Sequence, residues 1–427
     1  MNACSGLRVL LTTPPKSWYG GHDLASASAE ASALRRAGAI IETIELDAWN
    51  DDDQRFLVAW KAKNFSPDIV LSLPNAGYAL QFLDRREEPD SKNLFTDILS
   101  VPCILPWDHL LTQAPVYAFR SRLTASQRYG ALTRIRRLLQ NPLYRHYVLD
   151  SGHAQIYQEL GLLESHQVRR YISGAQDHFV EQGEVVRAPR ITDRVAFAGN
   201  VYAAAHHTSP DAEEDRVANR VVEAKCADWG ASSWHLMMRE LADLPMHARE
   251  KLGLIVDAPP FWHFAHELLS RRLLTAFRMA VLTTIKRPVD FYGNFADPNG
   301  IAALEGSRIT YKASVPYSTD LPRLYGEYAL WVDVTNTPFI HGCGAKVLNC
   351  FAAGSFMLMD FKRDLRDAIG DVAESFMFRD ANELNAKIER YLNNPVEREE
   401  IVRSMQRIIR ERLRWSHFFE RACAEDR

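Results

Sequence analysis

The sequence predicts an α/β protein with two doubly wound parallel sheets and a helical insert in the second half of the chain. Two series of short apolar segments alternate with helix-forming stretches, one before residue 180 and one after it. Strands separated by helices imply parallel βαβ units. A glycine-rich loop in the second series opens a short apolar helix. Ligands of such sheets bind beyond the carboxyl ends of the strands.

The first half of the chain contains five apolar segments that we interpret as strands: residues 7–12, 39–46, 68–73, 101–105 and 147–149. Polar side chains at the carboxyl ends of parallel strands are candidates for binding and catalysis. In this half they are His22, Asp23, Asn75, Asp108 and His109.

The second series begins at residues 194–200, an apolar segment that ends in Gly199 and Asn200, and we interpret residues 289–293, 328–334 and 356–359 as its further strands. We therefore place a first domain at residues 1–180 and a second at residues 181–410. Residues 203–287 are rich in helix formers with apolar periodicity, which predicts a helical insert. Residues 411–427 predict a last helix, for which a return to the first domain is one option.

The most informative stretch is the glycine loop at residues 341–354. Gly342 and Gly344 allow close approach to a ligand, and the run after them reads as a short buried helix ended by Gly354. A helix N-terminus presents unpaired N–H groups and positive potential, which suit a phosphate. Lys346 in the first turn would add a cation. The alternative is a tight loop between two core elements.

A longer order of motifs surrounds this loop. Its residues, in chain order, are Gly293, Leu321, Pro322, Tyr325, Lys346, Ala352, Gly354, Asp360, Tyr391, Leu392, Pro395 and Arg398. This order resembles the C-terminal half of GT-B glycosyltransferases, especially the CgeB-like spore-maturation group, over about residues 285–420. Each motif is short, and their shared order and spacing make the resemblance specific.

The resemblance implies two Rossmann-like domains, with the acceptor bound by the first and a nucleotide-sugar by the second. It implies donor contacts at Gly199, Asn200, Gly293, Pro316, Tyr317, His341, Gly342, Cys343, Gly344, Ala345, Lys346 and Asn349. Pro316 and Tyr317 would contact the nucleobase, or serve only as loop packing. The donor is a co-substrate, with UDP-, GDP- and dTDP-linked sugars all open, and no further cofactor is expected.

Two positions depart from the pattern of many retaining GT-B enzymes, which carry two glutamates at this loop. His341 stands in place of the first and Asn349 in place of the second. An asparagine amide both donates and accepts hydrogen bonds and could still bind ribose hydroxyls. A histidine cannot copy a carboxylate, so the retaining mechanism is in doubt and nucleotide binding stays plausible.

The predicted catalytic residues are Asp108, His22 and Asp23, which follow predicted strands of the first half. Transfer to a hydroxyl uses a general base whose pKa lies near the working pH, and aspartate or histidine can be tuned to serve. The alternative is that His22 and Asp23 cap the helix beginning at Leu24 and that Asp108 caps another, because aspartate favours the N-cap position.

The sequence gives no sign of a metal site. Apart from the acidic run Asp51-Asp52-Asp53 it has no Asp-x-Asp motif, and His206 and His207 are adjacent, so they point different ways on any regular element. Its six cysteines are scattered without a Cys-x-x-Cys pair, which argues against a zinc site or a disulfide framework and fits a reduced, cytoplasmic setting.

Composition sets further bounds. The net charge of −3 over 427 residues gives no sign of nucleic-acid binding by bulk charge, and no apolar run is long enough for a transmembrane helix. The arginine-rich stretch 120–145 is either a solvated face or a surface for an anionic acceptor, including a lipid phosphate at a membrane. The oligomeric state is open.

We therefore expect a metal-independent glycosyltransferase that moves a sugar from a nucleotide-sugar to an acceptor hydroxyl of a polysaccharide, lipid-linked glycan, protein or small molecule. Two alternatives remain. One is a nucleotide-sugar epimerase of the same fold, which would need carboxylates beside the donor sugar. The other is a catalytically silent nucleotide-sugar-binding partner subunit, which the replacements at His341 and Asn349 would suit.

Overall fold

The computed structural model describes ten ranges of the chain: residues 4–13, 31–45, 52–72, 94–107, 141–183, 189–201, 213–256, 259–294, 307–316 and 320–425. The chain divides into two compact units. The first comprises residues 1–177 together with 414–427, and the second comprises residues 178–413.

The first unit is built on a parallel sheet of six described strands. They are β1 (Arg8–Thr13), β2 (Ile40–Glu45), β3 (Ile69–Ser72), β4 (Cys103–Trp107), β5 (Tyr144–Val148) and β6 (Val168–Arg170), in the order β2-β1-β3-β4-β5-β6. Its described helical segments include Asp52–Phe65, the π-helical turn Leu94–Leu99, Ser151–Glu159 and Trp415–Glu425. Residues 31–36 are also helical.

The C-terminal helix completes the core of this first unit. Phe418 and Phe419 are buried in the same apolar cluster as Val9 and Leu11 of β1. The Phe418 ring lies 5.2 Å from that of Tyr147, edge to face. Arg414 pairs in parallel with Ala175 at the point where the chain returns to the unit. Distant parts of the sequence therefore share one core.

The second unit has its own parallel six-stranded sheet. Its strands are β7 (Val195–Ala198), β8 (Val289–Tyr292), β9 (Ile309–Lys312), β10 (Trp331–Asp333), β11 (Met357–Asp360) and β12 (Met377–Phe378), in the order β12-β11-β10-β7-β8-β9. The chain adds β8 and β9 on one side of β7 and then β10 to β12 on the other. The strand order therefore reverses between β7 and β10, which is where doubly wound sheets bind ligands.

Helices surround this sheet. After the insert they are Leu321–Tyr325, Lys346–Ala352, Arg363–Ile369, Val372–Phe376, Ala381–Asn393 and Pro395–Arg412, and Asp177–Gln182 begins at the junction of the two units. The strands β7, β10 and β11 are fully buried. A parallel strand covered on both faces reads as a continuous apolar run, which explains why all three were predicted from sequence.

The insert between β7 and β8 is helical. Its segments are Glu213–Ala227, Ser233–Ala242, Met246–Leu252, Pro259–His266, the π-helical turn Glu267–Arg272, and Leu273–Thr284. Trp234, Phe261 and Trp262 form an aromatic cluster within it, with ring centroids 5.2 to 6.3 Å apart. The last three segments follow one another without a break, so residues 259–284 form one long helical run.

Two parallel α/β sheets with a helical insert in the second confirm the predicted fold class. Three strands were not predicted, namely β6, β9 and β12. Among the described residues, no helix is long and apolar enough to cross a membrane.

Candidate functional site

The carboxyl ends of β7 and β10 are joined by Lys346. Its ammonium donates to the carbonyl of Ala198 at 2.9 Å and to Oδ1 of Asp333 at 2.7 Å. Ala198 ends β7 and Asp333 ends β10, so Lys346 spans the point where the strand order reverses. The sequence predicted a cation here, but it did not show that the ammonium is bound to both strand ends.

A second cation, Arg278, reaches the same edge from helix Leu273–Thr284. Its Nη1 donates to the carbonyl of Asn200 at 2.6 Å, and its Nη2 donates to Oδ1 of Asn336 at 2.6 Å. Its Nε and Nη2 also lie 3.4 Å from the carbonyl of Val334. The side chain is 4% exposed. Arg278 therefore joins the loops that follow β7 and β10.

Both cations lie beside one aromatic ring. The Lys346 Nζ and the Arg278 Cζ are each 5.8 Å from the ring centroid of Phe197 in β7. Burial lowers the pKa of Lys346; the carboxylate of Asp333 offsets part of that effect, and the charge of Arg278 adds to it. The two positive charges therefore repel each other, and a bound anion at this edge would reduce that repulsion.

The neighbouring strand β11 contributes a buried ion pair. Lys362 Nζ lies 3.2 Å from Oδ2 of Asp360 and donates to the carbonyl of Phe339. The Thr335 amide donates to Oδ1 of Asp360 at 2.7 Å. Burial alone would raise the pKa of Asp360, but the Lys362 charge and the Thr335 hydrogen bonds outweigh it and hold that pKa below its usual value.

The charges at this edge do not balance. Three cations, Arg278, Lys346 and Lys362, stand against the carboxylates of Asp333 and Asp360. Lys225 adds a further positive charge when protonated, and burial followed by the charge of Lys362 lowers its pKa to about 8. Among these named groups the cations outnumber the carboxylates, which favours an anionic ligand between the strand ends.

The glycine loop lies directly before Lys346. His341, Gly344 and Ala345 are partly exposed, whereas Gly342 and Cys343 are buried. A Cβ built on Gly344 would meet nothing within 4 Å, and the residue has no positive φ. The space beside Gly344 is therefore open to a ligand. Burial raises the pKa of the Cys343 thiol, so it is an unreactive space-filling group.

The helix after the loop, Lys346–Ala352, begins one residue later than predicted. Asn349 lies inside it and is 0% exposed. The sequence suggested that Asn349 binds ribose hydroxyls in place of a glutamate. Asn349 has no exposed surface in this structure, and the predicted ribose contact stays a prediction.

Gly199 and Gly293 hold two strand ends together. A Cβ on Gly293 would lie 1.8 Å from the carbonyl oxygen of Gly199, and the Gly199 amide donates to the Tyr292 carbonyl at 2.8 Å. Close backbone approach therefore explains Gly293, whereas a Cβ on Gly199 would lie 2.8 Å from the ring of Phe197. Asn200 continues the contact, because its Oδ1 accepts from the Asn294 amide.

Several predicted residues fall outside the described part of the chain: His22, Asp23, Asn75, Asp108, His109, Tyr317, His206 and His207, with most of the arginine-rich stretch. Pro316 is described and exposed, and its carbonyl accepts from the amides of Asp320 and Leu321. The roles predicted for these residues stay predictions.

Arg278 was not predicted. It lies inside the helical insert, 78 residues from Asn200 and 58 from Asn336, and no local pattern marks it. Asp333 is the last residue of a strand that was predicted, so the rule that ligands bind at strand ends could have found it. Among the described residues, no group of three or more His, Cys, Asp and Glu side chains could hold a metal ion.

Comparison with known proteins agrees with this geometry. Residues 270–424 match the family model Glyco_trans_1_2, described as glycosyl transferase-like. No curated protein matches the sequence.

Two solved structures share the fold over nearly their whole length. A glycosyltransferase from Rickettsia africae ESF-5 has 9% sequence identity and a TM-score of 0.52, over 99% of this chain and 98% of that chain. An α-glucosyltransferase, solved with UDP and a 13-mer DNA containing an HMU base, has 8% identity and a TM-score of 0.52, over 98% of each chain.

The fold is therefore that of the GT-B glycosyltransferases. The match of residues 270–424 to a glycosyl transferase-like family model agrees with this fold.

Proposed function

We propose that the second unit binds the diphosphate of a nucleotide-sugar donor at the carboxyl ends of β7 and β10, beside the glycine loop. One observation carries the proposal. The Lys346 ammonium spans the two strand ends at the reversal of strand order, next to the open space at Gly344. We also propose that the chain is related to the CgeB-like glycosyltransferases, which it resembles over about residues 285–420.

The chemistry of sugar transfer fits this edge. Negative charge grows on the diphosphate as the sugar leaves, and fixed positive groups lower the energy of that transition state. An ammonium has three N–H donors, and two of those of Lys346 are directed at Ala198 and Asp333. No described residue accepts the third, which leaves one charged donor for a phosphate oxygen.

We further propose that donor binding needs no divalent cation. In metal-dependent enzymes a cation bridges carboxylates and phosphate oxygens. Here Lys346 already lies against the carboxylate of Asp333, and Lys362 lies against that of Asp360. The fixed ammonium groups would supply the charge that a metal otherwise brings.

The acceptor would bind to the first unit, with Asp108 or His22 as general base and Asp23 as a neighbour of His22. A polysaccharide, a lipid-linked glycan, a protein and a small molecule are all candidate acceptors. The net charge of −3 disfavours sequence-independent binding to nucleic acid, which rests on positive charge. DNA nevertheless stays among the acceptors to assay, because one structure of similar fold was solved with DNA. We also propose that the protein acts in the cytoplasm.

The test is thermal unfolding of the purified protein with UDP, GDP and dTDP. A ligand at 100 times its dissociation constant stabilises the folded state by about 2.7 kcal/mol. We expect one of the three to raise the unfolding temperature, and Lys346→Met to abolish that rise.

Lys387→Met is the matched control. Like Lys346, Lys387 donates to both backbone carbonyl and carboxylate oxygens: its acceptors are the carbonyls of Glu374 and Met377 and the carboxylate of Glu383. If Lys346→Met and Lys387→Met respond equally to the nucleotide, the diphosphate does not bind at Lys346.

A silent nucleotide-sugar-binding subunit is the second candidate, and the absence of a glutamate at His341 and the burial of Asn349 favour it. Both candidates predict nucleotide binding. Hydrolysis or transfer of a radiolabelled nucleotide-sugar by the purified protein separates them, because a silent subunit would leave the donor intact.

A further inference from the structure

The long helical run of residues 259–284 contacts the loop after β10 at two places. The first is at its π-helical turn, where the amide of Leu273 donates to the carbonyl of Leu268, five residues back. There the hydroxyl of Thr337 donates to the carbonyl of Leu269. Thr337 is 3% exposed. Single π-helical turns inside α-helices occur frequently at functional sites.

The second contact is Arg278, less than three helical turns further on. One guanidinium group there serves acceptors from both sides of the reversal point: the carbonyl of Asn200 after β7, and the carbonyl of Val334 and side chain of Asn336 after β10. A guanidinium is a rigid planar fork with five donors, so it fixes the relative positions of the groups it binds.

The electrostatics at these strand ends explain why such a group is needed. At the carboxyl ends of parallel strands, backbone carbonyl oxygens point out of the sheet edge. Four such oxygen-bearing groups lie at this edge: the carbonyls of Ala198, Asn200 and Val334 and the carboxylate of Asp333. Uncompensated, these oxygens would repel a diphosphate. Lys346 donates hydrogen bonds to the oxygens of Ala198 and Asp333, and Arg278 donates to those of Asn200 and Val334.

We infer that Arg278 is a positioning residue for the donor site: from the helical insert it holds the loops after β7 and β10 in the arrangement that accepts the diphosphate. The inference rests on the proposed function of this edge. Arg278 acts through Asn200, Val334 and Asn336, and Thr337 supports it by anchoring the same loop to the insert.

The experiment measures binding of inorganic pyrophosphate and of UDP, GDP and dTDP by calorimetry, beside the unfolding temperature. A hydrogen bond to a charged group contributes about 1.5 to 3 kcal/mol, so loss of this cation should weaken binding by about 10- to 100-fold at ~1.4 kcal/mol per decade. We expect this loss in Arg278→Gln. Arg278→Lys keeps the positive charge but lacks the planar guanidinium group, so its affinity for these ligands should lie between those of Arg278→Gln and wild type.

Arg272→Gln is the control within the same helical run. Arg272 bonds to Asp215 and Asn219 inside the insert, so its loss should lower stability without changing affinity. Thr337→Val supplies a second variant of nearly unchanged shape, so that the inference stays testable if Arg278→Gln does not fold. It should weaken pyrophosphate binding several-fold at an unfolding temperature near that of wild type.

The outcomes separate the inference from the proposed function. If wild type binds the ligands and folded Arg278→Gln and Thr337→Val bind them equally well, the positioning role is overturned and the donor site stands. Should affinity fall only in proportion to a stability loss shared with Arg272→Gln, the role is merely structural and the inference fails. If wild type binds none of these ligands, the proposed function fails and takes the inference with it.

Discussion

The backbone of Gly183 lies so close to that of Ala352 that no side chain fits at position 183. A Cβ on Gly183 would be 1.7 Å from the carbonyl oxygen of Ala352. The side chain of Gln406 donates to the carbonyl of Gly183 at 3.0 Å and lies 3.4 Å from that of Ala352. Ala352 ends the helix that Lys346 begins, so this contact anchors the far end of that helix.

Gly183→Ala should therefore destabilise the second unit. Overpacking a tight contact costs about 1 to 3 kcal/mol, and the upper end applies because the obstructing atom belongs to the backbone. Chemical denaturation gives the free energy of unfolding. Gly326→Ala is the control, since its Cβ would meet its nearest atom at an ordinary 3.5 Å; equal losses in the two variants would contradict the expectation.

Gly344→Val should abolish nucleotide binding and leave the fold intact. The open space and the ordinary φ at Gly344 mean that the free protein can accept a side chain there. A bound diphosphate would have to share the same space. Calorimetry with the nucleotide that stabilises wild type measures the loss of affinity. The affinity of Gly344→Ala should lie between those of wild type and Gly344→Val. Undiminished affinity in folded Gly344→Val would show that the nucleotide binds elsewhere.

The buried Lys225 predicts a pH dependence of stability. Its ammonium donates to the carbonyls of Trp229 and Ala231, and burial followed by the charge of Lys362 lowers its pKa to about 8. The unfolded chain has a lysine pKa of about 10.4. Between these values the unfolded state binds the extra proton, so raising the pH through this window stabilises the folded state.

The gain should reach about 1 to 3 kcal/mol between pH 7 and pH 10. The measurement compares wild type with Lys225→Met by denaturation at several pH values, so that effects of all other groups cancel. Wild type should gain on the variant as the pH rises. A constant difference across the window would show that Lys225 keeps an ordinary pKa.

Sugar transfer should persist in excess chelator. The fixed charges of Lys346 and Lys362 beside Asp333 and Asp360 would take the place of a divalent cation. The assay follows transfer or donor hydrolysis with EDTA, and then with added magnesium or manganese. Complete loss in EDTA, reversed by either metal, would count against metal independence.

The acceptor base should lie in the first half of the chain, with Asp108 and His22 as first candidates. Loss of a general base typically lowers the rate by about 10² to 10⁴. Asp108→Asn and His22→Ala should therefore reduce turnover, and calorimetry should find nucleotide affinity nearly unchanged. Wild-type turnover in both variants would place the base elsewhere or indicate a retaining reaction.

The three strands that the sequence analysis missed share a position. The missed strands β6, β9 and β12 lie at the edges of their sheets. An edge strand has one neighbour and tolerates charged residues, and the sequences Val-Arg-Arg and Ile-Thr-Tyr-Lys carry no continuous apolar signal. The start of β5 was missed for a related reason, because its His146 is fully buried although the residue type suggests a surface.

The candidate site was predictable only where it is local. Lys346 was identified because it follows the glycine loop in sequence. Arg278 joins residues 56 to 78 positions away, so its role exists only after the insert has packed. Asn349 shows a different limit of local patterns: its spacing from the loop fits a ligand contact, and the helix places it in the core.

The return of the last helix to the first unit bears on the order in which the chain folds during synthesis. Domains generally fold as units, the N-terminal one first. Here the first unit lacks Phe418 and Phe419 until nearly the whole chain has been made. The second unit is continuous from residue 178 to 413 and can finish earlier. The nascent first unit must meanwhile expose the apolar surface that this helix later covers, a demand that chaperones exist to meet.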